Sequence, residues 1–122
     1  YAGIYNKNKR EGYGIQDYED GMRILGFWKD DLPHGKGLVY LSDGSSYRGM
    51  FKNGKKHGNG IFLYEDGSIY DGDWKNNKWH GSGTYTHITE KNQKSEYRGG
   101  FKNGKFNGIG ALTSKSGVVY KG

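Results

Sequence analysis

His34, His57 and His80 each stand directly before a glycine, at a constant spacing of 23 residues. Such a column invites a metal reading, because imidazole nitrogen is a standard zinc ligand. Asp71 and Asp73 bracket Gly72, and paired carboxylates are the usual equipment of acid–base chemistry. The chain also repeats G-x-G, beginning with Gly12/Gly14 and Gly35/Gly37, a spacing found in phosphate-binding loops. Each reading meets a physical objection. Equivalent residues of successive hairpins lie two strands apart, about 9–10 Å, whereas one zinc needs its ligands at about 2 Å. Carboxylates two apart share one face of a strand and are solvated if that face is open. A phosphate loop leads into a helix, and no helical period follows these glycines. H-E-x-x-H, G-x-S-x-G and G-x-x-x-x-G-K-[ST] do not occur. The expectation is therefore no catalytic site, no metal, no cofactor and no small-molecule substrate.

What places these residues is a repeat. Tyr47-x-Gly49-x-Phe51 returns as Tyr70-x-Gly72-x-Trp74 and as Tyr97-x-Gly99-x-Phe101. Stepping backwards gives Ile24-x-Gly26-x-Trp28 and Tyr1-x-Gly3-x-Tyr5, and Tyr120-x-Gly122 opens a further copy. Counting the first residue of a copy as offset 0, G-x-G falls at offsets 11 and 13, and further glycines fall at offsets 20 and 7. Of the 23 glycines only Gly100 lies off this template. The repeats are 1–23, 24–46, 47–69, 70–96 with four extra residues, 97–119, and a partial 120–122. A chain that starts at Tyr1 and stops inside a copy is expected to be a segment of a longer array.

Offsets 0, 2 and 4 alternate, so Tyr, Gly and Trp or Phe share one face of a strand. Asn53-Gly54 and Asn103-Gly104 are tight-turn dipeptides. Glu19-Asp20-Gly21, Ser42-Asp43-Gly44 and Glu65-Asp66-Gly67 punctuate the other end. Each copy reads as a β-hairpin. The fold expected is all-β: an elongated, single antiparallel meander of hairpins, a twisted open sheet of about ten or eleven strands running roughly 50 Å. With the first turn centred near offset 7.5 and the second near offset 20, the ring at offset 4 would lie between two glycines. Phe51 would sit between Gly58 and Gly37, and Trp74 between Gly81 and Gly60. The stretch Thr86–Ser95 is expected to be a polar, mobile loop that holds the insertion.

Composition sets the limits. Only 32% of the residues are hydrophobic, yet 16% are aromatic. Plain disorder is poor in aromatics, and a thick aliphatic core needs more than this chain has. No apolar run approaches the 18 or so residues of a membrane-spanning helix, no signal-peptide core is visible, and there is no cysteine for a disulfide or thiolate site. The net charge is +6, a moderate bias toward acidic partners. It collects in the first-turn windows: Lys7, Lys9, Arg10, Lys29, Lys52, Lys55, Lys56, Lys75, Lys78, Lys102 and Lys105. All first turns should emerge on one edge, so that edge should be basic. Two aromatics, Trp79 and Phe106, fall within it at offset 9, as neighbours packing over their turns or as anchors for a partner or a membrane. Lysines at strand ends also serve simply to block edge aggregation.

The pattern Y-x-G-x-[WF]…G-x-G…[YF]-x-x-G, carried by Tyr47, Gly49, Phe51, Gly58, Gly60 and Tyr64 and by their counterparts along the whole chain, closely resembles the MORN repeat. The resemblance implies a non-enzymatic interaction and scaffold module. Members of that family occur in cytoskeletal, ciliary and membrane-junction assemblies and as regulatory appendages of enzymes such as phosphatidylinositol-phosphate kinases and SET-domain methyltransferases. It implies a cytoplasmic, cytoskeletal, ciliary or peripheral-membrane location. It also implies a protein partner, as a peptide, a helix or a second copy of the array, held along an aromatic groove. Here that groove would be Trp28, Tyr47, Phe51, Tyr70, Trp74, Tyr97 and Phe101, and alanine at Trp74 with Phe101 is expected to abolish capture in a protein that still folds. Binding of anionic phospholipids by the lysine edge is the alternative. Aromatic rows with basic turns are also the ingredients of a single-strand nucleic-acid platform, but these rings follow the packing period of the sheet, and nucleic acid is not the partner expected.

Overall fold

Two kinds of turn alternate along the chain and set the strand boundaries. The structure is a computed structural model that describes residues 1–88, 93–114 and 119–121, with side chains described for 1–88 and 93–105. Its strands are β1 (Ala2–Asn6), β2 (Lys9–Asp17), β3 (Arg23–Lys29), β4 (Leu32–Tyr40), β5 (Ser46–Lys52), β6 (Lys55–Leu63), β7 (Ile69–Lys75), β8 (Lys78–Ile88), β9 (Lys94–Lys102), β10 (Lys105–Ser114) and β11 (Val119–Lys121). They form one open sheet, all neighbours antiparallel, in simple sequence order.

The first turn of each repeat has two residues, both left-handed: Asn53 (φ 51°) and Gly54 (φ 83°), Asp30 (φ 48°) and Asp31 (φ 72°), Asn76 (φ 49°) and Asn77 (φ 70°). This is the tight hairpin turn whose twist matches that of the strands. Asn and Asp tolerate the left-handed region better than other side-chain-bearing residues. The second turn is wider. Tyr64 N–H donates to the Ser68 carbonyl (2.8 Å) and Gly67 N–H to the Tyr64 carbonyl (3.0 Å). The Asp66 carboxylate accepts from Ser68 N–H (2.8 Å), and Gly67 turns the corner at φ 90°. The turns at Asp20-Gly21 and Asp43-Gly44 are built alike.

The pairing departs from the spacing argument at offset 4. Both turns centre one residue earlier than expected, so Phe51 faces Lys56, not Gly58, across the first turn and Gly35, not Gly37, across the second. Trp74 likewise faces Trp79 and Gly58, not Gly81 and Gly60. A bulge restores the expected register one step further on, where Gly49 faces Gly60. Gly58 at the bulge has φ 89° and Gly81 has φ 73°, which explains a glycine at offset 11.

The glycines at offsets 2 and 13 then line up across the sheet. Gly3, Gly14, Gly26, Gly37, Gly49, Gly60, Gly72, Gly83, Gly99 and Gly110 form one continuous row of cross-strand partners. Rings lie on this spine. An added Cβ on Gly60 would collide with the Tyr47 ring and hydroxyl, one on Gly83 would meet the Tyr70 hydroxyl at 2.6 Å, and one on Gly37 would meet the Phe51 ring at 2.9 Å. The Trp74 and Trp28 indole N–H groups donate to the Gly60 (3.0 Å) and Gly14 (3.2 Å) carbonyls. The offset-4 rings thus reach diagonally to one of the two glycines assigned to them, that at offset 13 of the preceding repeat, whereas Gly58 and Gly81 lie against Met50 and Asp73 instead.

Much of the stretch expected to be a mobile loop is strand. β8 runs on to Ile88 and β9 begins at Lys94, with His87 facing Ser95 and Ile88 facing Lys94. Thr86 and Ile88 are β-branched, and the longer hairpin folds back on the preceding turn. Ser68 Oγ accepts from Ile88 N–H at 3.5 Å and lies 3.3 Å from His87 Nδ1. Residues 89–92 lie outside the described residues.

Candidate functional site: the aromatic face and its basic edge

Packing on the glycine spine turns the aromatic row into the core. Tyr47 and Tyr70 are fully buried, and Trp28, Phe51, Trp74, Tyr97 and Phe101 are between 2% and 8% exposed. Their rings meet edge to face in a continuous ladder, Phe51–Tyr47–Trp74–Tyr70–Phe101–Tyr97, with centroids 5.0–5.3 Å apart. Each such contact adds about 0.5–1.5 kcal/mol beyond area burial. The hydroxyls find partners three residues on: Tyr47 donates to the Met50 carbonyl (2.8 Å), Tyr70 to Asp73 (2.7 Å) and Tyr97 to Gly100 (3.1 Å). Burial pushes the Tyr47 phenol far above its ordinary range, and burial followed by the nearby Asp73 charge pushes Tyr70 up to about 12.

The seven residues assigned to a groove are thus brought together, but as a packed interior. Alanine at Trp74 with Phe101 removes two members of the core and cannot separate binding from folding. The surface offered on this face is the layer around them: Tyr64, Trp79 and Tyr85, all half-buried, and the half-buried Lys56.

Trp79 belongs to this layer and not to an exposed edge. It stacks on Tyr70 (4.8 Å, interplanar 4°) and contacts Tyr85, Phe101 and Tyr64. The bulge is the cause, because it places offset 9 opposite the offset-4 ring, on the same face. Phe106 faces Phe101 across the β9–β10 pair, and its side chain lies outside the described residues. Lys56 also turns onto the aromatic face. Its Nζ lies 5.4 Å from the Tyr47 and Phe62 ring centres and 5.6 Å from that of Trp74, and burial pulls its pKa below the ordinary lysine value. Spacing alone grouped Lys56 with the edge lysines; the signal that separates them is the bulge glycine at offset 11, two residues further on.

The remaining edge lysines, Lys52, Lys55, Lys75, Lys78, Lys102 and Lys105, are exposed. The salt bridges among the described residues involve Arg10, Arg23 and Arg98 and none of these lysines. Beneath them the edge is zipped by its backbone. The second residue of each first turn donates to the offset-9 carbonyl of the preceding repeat: Asp31 to Arg10 (3.1 Å), Gly54 to Pro33 (2.8 Å), Asn77 to Lys56 (3.0 Å) and Gly104 to Trp79 (2.9 Å). His34 takes part through Nδ1, which accepts from Asn53 N–H (3.2 Å). Among the described residues no group of three or more His, Cys, Asp or Glu is arranged to hold a metal. Asp73 accepts from Asn59 Nδ2 (2.5 Å) and Ser82 N–H (3.1 Å), a structural tie across the opposite face.

Hairpins in register, a glycine spine and a ring ladder define a β-repeat array, in which each unit contacts its neighbours alone. Family comparison gives the matching unit as the MORN repeat, at residues 1–23, 26–46, 47–69, 70–88 and 97–119. The chain belongs to the MORN-repeat family. A comparison with curated proteins gives no match.

Proposed function

We propose that this array is a non-catalytic binding module that holds a segment of a partner protein on its aromatic face, in a scaffold role. The observation that carries the reading is the layer above the buried ladder. Tyr64, Trp79 and Tyr85 are only half covered, and beside them Lys56, Phe62, Trp74 and Trp79 line a hollow of about 220 Å³. Large rings that keep one side in water are typical contact residues. The test is panning of a random-peptide phage library on the folded array, followed by NMR of the best binder. Shifts should centre on the Trp79 indole and the Tyr64 ring and spare the methyl groups of Leu25, Leu38 and Ile61. Shifts confined to those methyls would overturn the reading.

A second reading has its own support in the exposed lysines, which have no carboxylate partner in any salt bridge among the described residues. Lined along one edge, they suit peripheral attachment to an anionic membrane. Sedimentation with phosphatidylserine vesicles should then weaken steeply between low and high salt, and Lys52→Glu with Lys75→Glu should abolish it. Binding indifferent to salt would reject this reading.

A further inference from the structure

Arg10 and Lys56 occupy the same offset, two repeats apart, and hold their cations in the same way. The Arg10 guanidinium lies 4.3 Å from the Trp28 ring centre, as Lys56 Nζ lies over Trp74, Tyr47 and Phe62. The backbone around the two is also the same. Asp31 N–H donates to the Arg10 carbonyl, and Arg10 N–H donates to Asp31 Oδ1 (3.1 Å). Asn77 N–H donates to the Lys56 carbonyl, and Lys56 N–H donates to Asn77 Oδ1 (2.8 Å).

One group differs. Asp31 supplies Arg10 with a counter-charge, the carboxylate accepting from Nε at 2.6 Å. At the equivalent place beside Lys56 stands Asn77, an amide. Lys56 has no salt-bridge partner among the described residues, and the exposed Lys78 adds a second positive charge on the rim of the same hollow. Ring faces hold a cation but do not neutralise it, and a half-desolvated ammonium gains most from a carboxylate that arrives with apolar surface around it. Burial already destabilises the charge of Lys56.

We infer that the Lys56 hollow is an acidic subsite, which takes an Asp or Glu side chain of a partner peptide while an adjoining apolar residue of that peptide packs on Tyr64 and Trp79. This rests on the reading of the aromatic face as a peptide-binding surface and supplies the chemistry of its occupant. Repeat 1 shows the completed form of the subsite, with the carboxylate built in.

The test uses the same peptide library on three proteins: the unaltered chain, Lys56→Met and Asn77→Asp. Lys56→Met keeps the bulk of the stem over the rings and removes the charge. Asn77→Asp restores the carboxylate found beside Arg10, at a backbone angle that Asp31 already adopts (φ 72° against 70°), so its fold is expected to be intact or firmer. Peptides enriched on the unaltered chain should carry Asp or Glu next to a large apolar residue. Their affinity should fall at least about tenfold in both variants, a loss of about 1.4 kcal/mol. Peptides without acidic bias that both variants still bind would overturn the subsite while leaving the face. Peptides that perturb only the opposite face, or no enriched peptide at all, would overturn both. Binding of phosphoinositide vesicles, with no acidic peptide selected, that Asn77→Asp abolishes would overturn the peptide as occupant.

Discussion

The second and fourth repeats share one frame and fill it differently. In both, a two-residue first turn donates to the previous repeat and paired glycines cross the sheet. Yet Ile24 stands where Tyr70 does, and Pro33 where Trp79 does. The ring ladder runs unbroken from Phe51 to Tyr97, while Trp28 packs back on Tyr1 (5.6 Å), and Ile24 takes the offset at which Tyr47 links Phe51 to Trp74. Gly26 has φ 146°, whereas the other spine glycines through Gly83 keep ordinary negative angles. The frame therefore does not depend on a complete row of rings. Turns and bare backbone set the register, and rings add rigidity where they are present.

The largest effect that would break this contrast is expected at the spine. Gly60→Ala drives a methyl into Tyr47, whereas Gly37→Ala meets only the edge of the Phe51 ring. Overpacking of this kind costs about 1–3 kcal/mol, so urea unfolding should place Gly60→Ala near or beyond about 3 and Gly37→Ala near about 1. Equal losses would mean that the missing tyrosine of repeat 2 is irrelevant to the packing on its spine. Next comes the exchange of the two residues. Tyr70→Ile gives up two edge-to-face contacts, the Trp79 stack and a hydroxyl bond, and should cost about 2–4 kcal/mol. The reverse change, Ile24→Tyr, should stabilise by about 1 kcal/mol through a new contact with Phe51, read as a raised urea midpoint.

Alkali should act on the ring-rich half. Tyr70 is raised from 10 to about 12 and Tyr47 is raised further. The folded chain holds these protons more tightly than the unfolded one, so the stabilisation is intact below about pH 10 and is lost as pH climbs toward 12. Stability measured at pH 9 and 11 should fall, and Tyr70→Phe should flatten the slope. Lys56 works in the opposite sense over a lower window. Its pKa is depressed, so the penalty of burying its charge is relieved as pH rises toward the ordinary lysine value of 10.5. The smallest effect belongs to the edge: Lys52→Gln and Lys102→Gln should each shift stability by less than about 0.5 kcal/mol.

The period, the meander and the membership of each ring in one row were legible, because glycine and aromatic spacing reports strand parity directly. The register near the turns was not, across the first turn or the second. Asn53-Gly54 marked a turn, but its two-residue form becomes clear only when Asp30-Asp31 and Asn76-Asn77 are seen to adopt the same left-handed pair. From that error followed the misplacement of Lys56 and Trp79, since a bulge changes which face the next residue takes. The seven rings were assigned to the right face, but their burial was missed. Spacing says which side a ring is on and not how far its neighbours close over it.

The hydrogen bond from each first turn to the preceding repeat also makes the array a ruler. Equivalent positions recur every two strands, about 9.6 Å, because each junction is closed by the same bond. Two turns of an α-helix advance about 10.8 Å. A helix laid across the strands would therefore present every seventh residue to successive repeats and slip by about 1 Å at each. A straight helical segment stays in step with two or three repeats, and one that follows the array further has to coil with the twist of the sheet.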